Sequence, residues 1–91
     1  MMTFNVGDII GVICEVQPGP FSEECLVTIE TLGGPISGFV RKTELRQSGD
    51  RWEVRGKVEE VLSESIKVWI SGSFFTTNGL ASIPTRLAMA A

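Results

Sequence analysis

The residues of this sequence that could do chemistry are cations and aromatic rings, and they concentrate in its middle. Seven of the eight basic side chains lie between positions 41 and 67, and Phe21, Phe39 and Trp69 flank or precede this stretch. Cations neutralise phosphate and flat rings stack on unpaired bases, so the combination is typical of surfaces that hold a single nucleic-acid strand. These cations are Arg41, Lys42, Arg46, Arg51, Arg55, Lys57 and Lys67.

Two other interpretations of these residues remain open. Alternating charges are also what a solvated strand face carries, with no ligand at all. Trp69 is expected either to stack on a base, to anchor a protein partner, or to be covered by Phe74 and Phe75. The protein-interaction alternative therefore uses Trp69, Phe74 and Phe75.

The net charge opposes a nucleic-acid ligand. Eleven acidic and eight basic residues give a formal charge of -3 and a pI near 4.8, whereas dedicated nucleic-acid binders usually have a high pI. Affinity depends on where the cations lie, so one locally basic face would suffice. No signal peptide or membrane-spanning apolar run is visible, and we expect a cytoplasmic protein.

Catalysis and metal binding are not expected. The chain has no histidine and only two cysteines, so it offers neither a His-dependent triad nor the usual four-ligand zinc site. Glu59 and Glu60 are adjacent and point to opposite faces of a strand. Gly33-Gly34-Pro35 has neither the length nor the lysine of a phosphate loop. We predict no enzyme activity, no catalytic residue, no metal and no cofactor.

Hydrophobic alternation predicts an all-β fold with turns every 8 to 12 residues. In the fourth and fifth strands Val54, Val58, Leu62, Ile66, Val68 and Ile70 share one face, opposite Arg55, Lys57, Glu59, Lys67 and Trp69. The spacing favours a small five-stranded antiparallel Greek-key barrel, either an oligonucleotide-binding (OB) fold or an SH3-like barrel. The predicted strands are Ile9–Val16, Cys25–Leu32, Ile36–Arg41, Trp52–Leu62 and Ile66–Ser71.

Residues 1–73 are predicted to form the barrel, and residues 74–91 an extension. Asn78-Gly79 is a strong turn signal, so this extension is expected to pack on the barrel, to add a small hairpin, or to be partly mobile. No internal repeat is visible.

The two cysteines are predicted to lie side by side in the first hairpin. A turn about Gly19 and Pro20 would set Cys14 opposite Cys25, Val12 opposite Val27 and Ile10 opposite Ile29. A cross-strand disulfide is one outcome. Two reduced core thiols are the alternative favoured by the apolar neighbours and by a cytosolic location.

Several short motifs occur in the order found in a known RNA-binding family. They are Gly7-Asp8-Ile9-Ile10-Gly11, Gly19-Pro20-Phe21, the run Gly38-Phe39-Val40-Arg41-Lys42-Thr43-Glu44-Leu45, then Gly49-Asp50, and Ser65-Ile66-Lys67-Val68-Trp69. From Val6 to Ser73 the chain resembles the RNA-binding repeat domain of the largest small-subunit ribosomal protein, the S-one domain. It is more loosely similar to bacterial initiation factor one.

The resemblance implies an OB fold that binds single-stranded RNA weakly and with little sequence preference. The family's stacking Phe corresponds to Phe21, its contacting His to Arg41, and the Arg of its last strand to Lys67. Pro18 replaces an aromatic residue of the family, and Glu23 and Glu24 add carboxylates near the expected contact face. That face is formed by the second and third strands and the first turn, with Phe39 as a second stacking ring and Lys42 as a further phosphate contact. An acidic protein-interaction module docking on a larger ribosomal or transcriptional assembly, or a nucleic-acid mimic, is the alternative.

Overall fold

The structure, a computed structural model, describes residues 3–75 and 78–90. Within those residues the chain forms nine strands and two three-residue 3₁₀ turns, at Lys42–Glu44 and Thr85–Leu87. The strands are β1 Ile9–Pro18, β2 Glu24–Thr31, β3 Gly34–Arg41, β4 Leu45–Ser48, β5 Arg51–Val61, β6 Ser65–Ile70, β7 Ser73–Phe74, β8 Leu80–Pro84 and β9 Ala88–Ala90.

The strands pair antiparallel in one curled sheet with the order β7-β3-β2-β1-β5-β6-β8, while β4 pairs with β5 and β9 with β1. The predicted all-β barrel class is confirmed, because the sheet curls into a half-barrel. The five predicted strands correspond to β1, β2, β3, β5 and β6. Residues 80–90, which the sequence placed in an extension, supply β8 alongside β6 and β9 alongside β1.

The core is built from one face of each long strand. Nine large side chains are less than 2% exposed, and each such burial stabilises the fold by about 1.5 to 3 kcal/mol relative to full exposure. Leu62, predicted to join this face, is 47% exposed, because a bulge between Val58 and Glu60 shifts the register and β5 ends at Val61. The nine are Val12, Val27, Ile29, Val40, Val54, Val58, Ile66, Val68 and Ile83.

The predicted register of the first hairpin is wrong by four residues. Cys25 lies opposite Pro18, and Val27 lies opposite Val16. The turn comprises residues 19–23, later than expected, because Pro18 completes β1. A slip by an even number of residues leaves the same side chains facing inward, so the core prediction survives the error. Cys14 lies opposite Trp52, and both cysteines are free thiols.

The fold is an internal duplication, contrary to the expectation of no repeat. Strands β1, β2, β3, the first 3₁₀ turn and β4 have counterparts in β5, β6, β8, the second 3₁₀ turn and β9. Each half pairs its last strand with the first strand of the other half, β4 with β5 and β9 with β1. Even loop contacts repeat: Lys42 N–H donates to Glu23 O at 2.9 Å, and Thr85 N–H to Glu64 O at 3.1 Å.

An approximate twofold axis therefore passes between Val12 and Val54, which lie opposite each other. Leu45 pairs with Val54 in one half, and Ala88 pairs with Val12 in the other. Few equivalent positions hold identical residues, which explains why the sequence did not reveal the repeat.

Candidate nucleic-acid interface and mouth groove

Three exposed cations line the outer side of β5. Val54, Gly56 and Val58 face inward and are buried, so Arg51, Glu53, Arg55 and Lys57 share the outer side. Glu53 is covered, whereas Arg51, Arg55 and Lys57 are exposed. Among the described residues, salt bridges join Arg46 to Glu53 and Lys67 to Glu60. The three β5 cations are therefore free to bind an external anion.

Trp69 extends this face onto β6. It lies directly opposite Lys57 and is 40% exposed. Its Nε1–H donates to Glu59 Oε2 at 3.1 Å, which satisfies the indole donor and fixes the ring against the sheet. Phe75 does not bury Trp69, since its ring packs edge-on against Phe39. A solvent-facing ring beside unpaired cations is the arrangement that stacking on a base requires.

Lys67 is a weaker member of this set. Its Nζ lies 3.3 Å from Glu60 Oε1, and both side chains are about half exposed. Surface pairs of this kind contribute little stability, so Lys67 can exchange this carboxylate for a phosphate at small cost. We call the surface formed by Arg51, Arg55, Lys57, Lys67 and Trp69 the β5–β6 face.

The remaining predicted contacts lie elsewhere. Phe21 is 67% exposed in the first turn, and Arg41 and Lys42 are exposed where β3 ends. Arg41 lies opposite Glu24, and a shallow cavity of about 400 Å³ brings Phe21 and Arg41 together with both Glu23 and Glu24. Two carboxylates thus offset the cations beside Phe21.

Phe39 faces outward on β3 and is half-buried. Its ring meets Phe75 edge-on, with centroids 5.5 Å apart and planes at 72°, so one edge of it is occupied. Phe75 itself is 63% exposed, whereas Phe74 is only 9% exposed and belongs to the core. Little of the Phe74 ring is therefore left for a partner to contact. A side chain at position 38 would collide with Phe74, so Gly38 is what allows the Phe74 ring to pack here.

The predicted site residues thus form two surfaces rather than one. Arg55, Lys57, Lys67 and Trp69 share the β5–β6 face, and Phe21, Arg41 and Lys42 surround the first turn. In the sheet order, β6 is three strands away from β2, which separates Lys67 from the turn. Arg51 was left out of the predicted contacts, although its alternation with Arg55 and Lys57 was readable in the sequence.

A second cavity, which we call the mouth groove, opens where the core reaches the end of the half-barrel. Its volume is about 560 Å³, within the range of ligand-binding clefts. Core-facing residues form its floor, and Phe21 stands at its rim. Sequence reasoning missed it because it depends on where the first turn leaves the sheet. Its lining is Val16, Gln17, Pro18, Gly19, Pro20, Phe21, Ser22, Glu24, Cys25, Lys42, Leu45 and Trp52.

A buried ion pair interrupts the cations on the outer side of β5, because Glu53 lies between Arg51 and Arg55 on the same side of the strand. Glu53 is 2% exposed and accepts a hydrogen bond from Arg46 Nη2, which also donates to the carbonyl of Ala90 at 3.1 Å. Arg46 thereby joins β4 to β9 across the twofold axis. The charge of Arg46 is paired with Glu53 and is not available to a ligand.

Burial raises the pKa of the Cys14 thiol to about 12, with a further contribution from the negative charge of Glu53. The thiol therefore stays protonated at neutral pH and is a poor nucleophile. In the described part of the chain, no cluster of three or more His, Cys, Asp or Glu side chains is placed to hold a metal ion. No helix there is long and apolar enough to cross a bilayer.

Comparison with known proteins gives no relatives: no family model matches the chain, and no curated protein or solved structure is significantly similar to it.

Proposed function

We propose that this domain binds single-stranded nucleic acid, RNA in the first instance, on the β5–β6 face. The observation that carries the proposal is the set of exposed, unpaired cations on the outer side of β5, of which Lys57 lies directly opposite the exposed ring of Trp69. Phosphates would contact Arg51, Arg55 and Lys57, while a base stacks on Trp69. Stacking of this kind is tolerant of sequence and contributes about 1 to 3 kcal/mol per base.

The acidic composition is compatible with this proposal because the excess negative charge lies in the first half of the chain. Residues 1–50 carry seven acidic and three basic side chains, and residues 51–91 carry four acidic and five basic ones. Residues 9–41 contain four glutamates and a single cation, Arg41. They belong to the first half of the duplication, whereas the β5–β6 face belongs to the second. The resemblance to the S-one domain supports an OB-type assignment and a cytoplasmic location, which we propose together with the function. The resemblance predicts contacts at the first turn, whereas the charge distribution favours the β5–β6 face.

The test is an anisotropy titration of the full chain with a short labelled oligouridine. Three phosphate contacts predict a slope of log affinity against log salt of about -2 for a single strand. Reversing the charge at Lys57 (Lys57→Glu) should weaken binding and make the slope shallower.

Arg86→Glu is the matched control, because Arg86 is an exposed cation in the second 3₁₀ turn, outside the face. Equal losses in both variants would mean that only the net charge matters. No binding at about 50 mM salt, where electrostatic contacts are strongest, would rule the proposal out.

A further inference from the structure

The mouth groove is an apolar cleft with a polar rim. Its floor consists of the half-buried Val16, Leu45 and Trp52 together with the buried Cys25. Phe21 projects at the rim and is too exposed to be held by the core. A cleft of this size accepts one large apolar side chain, and an exposed aromatic residue at its edge is typical of interaction hot spots.

An unpaired strand edge borders the groove. Strand β4 pairs with β5 along its whole length, and among the described residues no strand lies on its other edge. Leu45, the first residue of β4, also lines the groove. An extended segment added to this edge would therefore place a side chain in or beside the groove, as in β-strand addition.

The charges near this edge favour a basic segment. Glu44 precedes β4, Asp50 follows it, and Glu23 and Glu24 lie in and after the first turn. Arg46, in the middle of β4, is committed to Glu53. Arg41, Lys42 and Arg51, which lies opposite Ser48 at the end of β4, offset part of this negative charge, but the carboxylates beside Phe21 oppose a polyanion.

From these observations we infer a second binding site: the mouth groove and the free edge of β4 together bind an extended, basic segment of a partner protein. The segment pairs with β4 as an added strand and inserts one large apolar side chain beside Phe21 and Trp52. Its lysine or arginine residues face Glu23, Glu44 and Asp50. This inference is independent of the β5–β6 face and locates a protein interaction away from Trp69 and Phe75.

The experiment begins with selection of a phage-displayed library of random octapeptides against the full chain. The expected result is enrichment of peptides that combine an aromatic or large aliphatic residue with lysine or arginine. The most enriched peptide is then synthesised, labelled and titrated by anisotropy. Phe21→Ala should weaken its binding by about tenfold or more, and Glu23→Lys should weaken it less. Lys57→Glu, at a position that does not line the groove, should leave it unchanged.

Backbone N-methylation tests the strand pairing. Methylating alternate peptide nitrogens removes donors on one edge of the added strand, so one alternate set should abolish binding and the other should be tolerated. Equal affinities for the two sets would overturn the added strand. Absence of enrichment, or enrichment that Phe21→Ala does not affect, would overturn the site. Loss of oligouridine binding in Phe21→Ala without any peptide binding would assign the groove to nucleic acid and also overturn the inference.

Discussion

The side chain of Glu53 occupies the space that a side chain on Gly11 would need. A Cβ built on Gly11 falls well inside van der Waals contact with Oε1 of Glu53. The two positions are equivalent in the duplicated fold, one residue before Val12 and Val54 respectively. At the twofold axis, therefore, only one half can supply a side chain, and the other half must supply glycine.

Substituting Gly11 should consequently disturb the buried ion pair. Gly11→Ala forces the Glu53 carboxylate away from Arg46, and we expect the free energy of unfolding to fall by about 2 to 3 kcal/mol. Urea denaturation followed by circular dichroism measures the change. Gly33→Ala is the control, because Gly33 has open space around it and no positive φ. Similar losses in the two variants would show that the Glu53 contact is unimportant.

Removing Arg46 should cost stability because it leaves Glu53 buried without a partner. For Arg46→Met we expect a loss of about 2 kcal/mol, reduced from the fully buried case because Arg46 is half exposed. Lys67→Met removes the other salt bridge, which is exposed on both sides, and should change stability by less than about 0.5 kcal/mol. Thermal denaturation of the two variants provides the comparison. A double variant Arg46→Met/Glu53→Met should recover part of the loss, and no recovery would argue against an unpaired carboxylate as its cause.

Alkaline pH should destabilise the fold through Cys14. The pKa of this thiol is raised from 9.0 to about 12 in the folded protein, so between these values the folded state binds more protons than the unfolded state. Stability is then fully present below about pH 9 and falls as the pH rises toward 12. The measurement is the difference in pH dependence between the parent chain and Cys14→Ala, which cancels other titrations. Identical slopes would contradict the raised pKa.

Trp69 should contribute to oligonucleotide binding without supporting the core. Trp69→Ala removes the stacking ring, and we expect a loss of about 1 to 3 kcal/mol, roughly 5- to 150-fold in affinity. Trp69→Phe should restore part of it. Phe75→Ala, which removes another exposed ring, is the control and should leave the affinity unchanged. A loss confined to Phe75→Ala would move the stacking site to the Phe39–Phe75 pair.

The sequence predicted the long strands because their apolar residues alternate, and it predicted the outward direction of Arg55, Lys57 and Trp69 for the same reason. It did not predict β4 and β9, each at most four residues long. Three or four positions are too few to show an alternating pattern of apolar and polar residues. The hairpin register failed because Pro18 was assigned to the turn, whereas it ends β1. The exposure of Leu62 depended on a bulge, which alternation cannot reveal.

The candidate site could be predicted only in part. Residue types identified Trp69 and Lys57, but their adjacency depends on the β5–β6 register. Phe74 and Phe75 are identical in sequence terms, yet one is in the core and the other is exposed. The difference arises because Phe74 pairs with Gly38, which admits its ring. Phe39 and Phe75 meet only through this same short pairing.

The exchange of last strands between the two halves has a consequence for biosynthesis. The edge of β1 that accepts Ala88–Ala90 stays bare while everything before residue 88 is being translated. A nascent chain paused shortly before residue 88 would expose the unpaired backbone edge of Ile10, Gly11 and Val12 to other molecules. The sheet is therefore complete only once Ala88, Met89 and Ala90 have paired with β1.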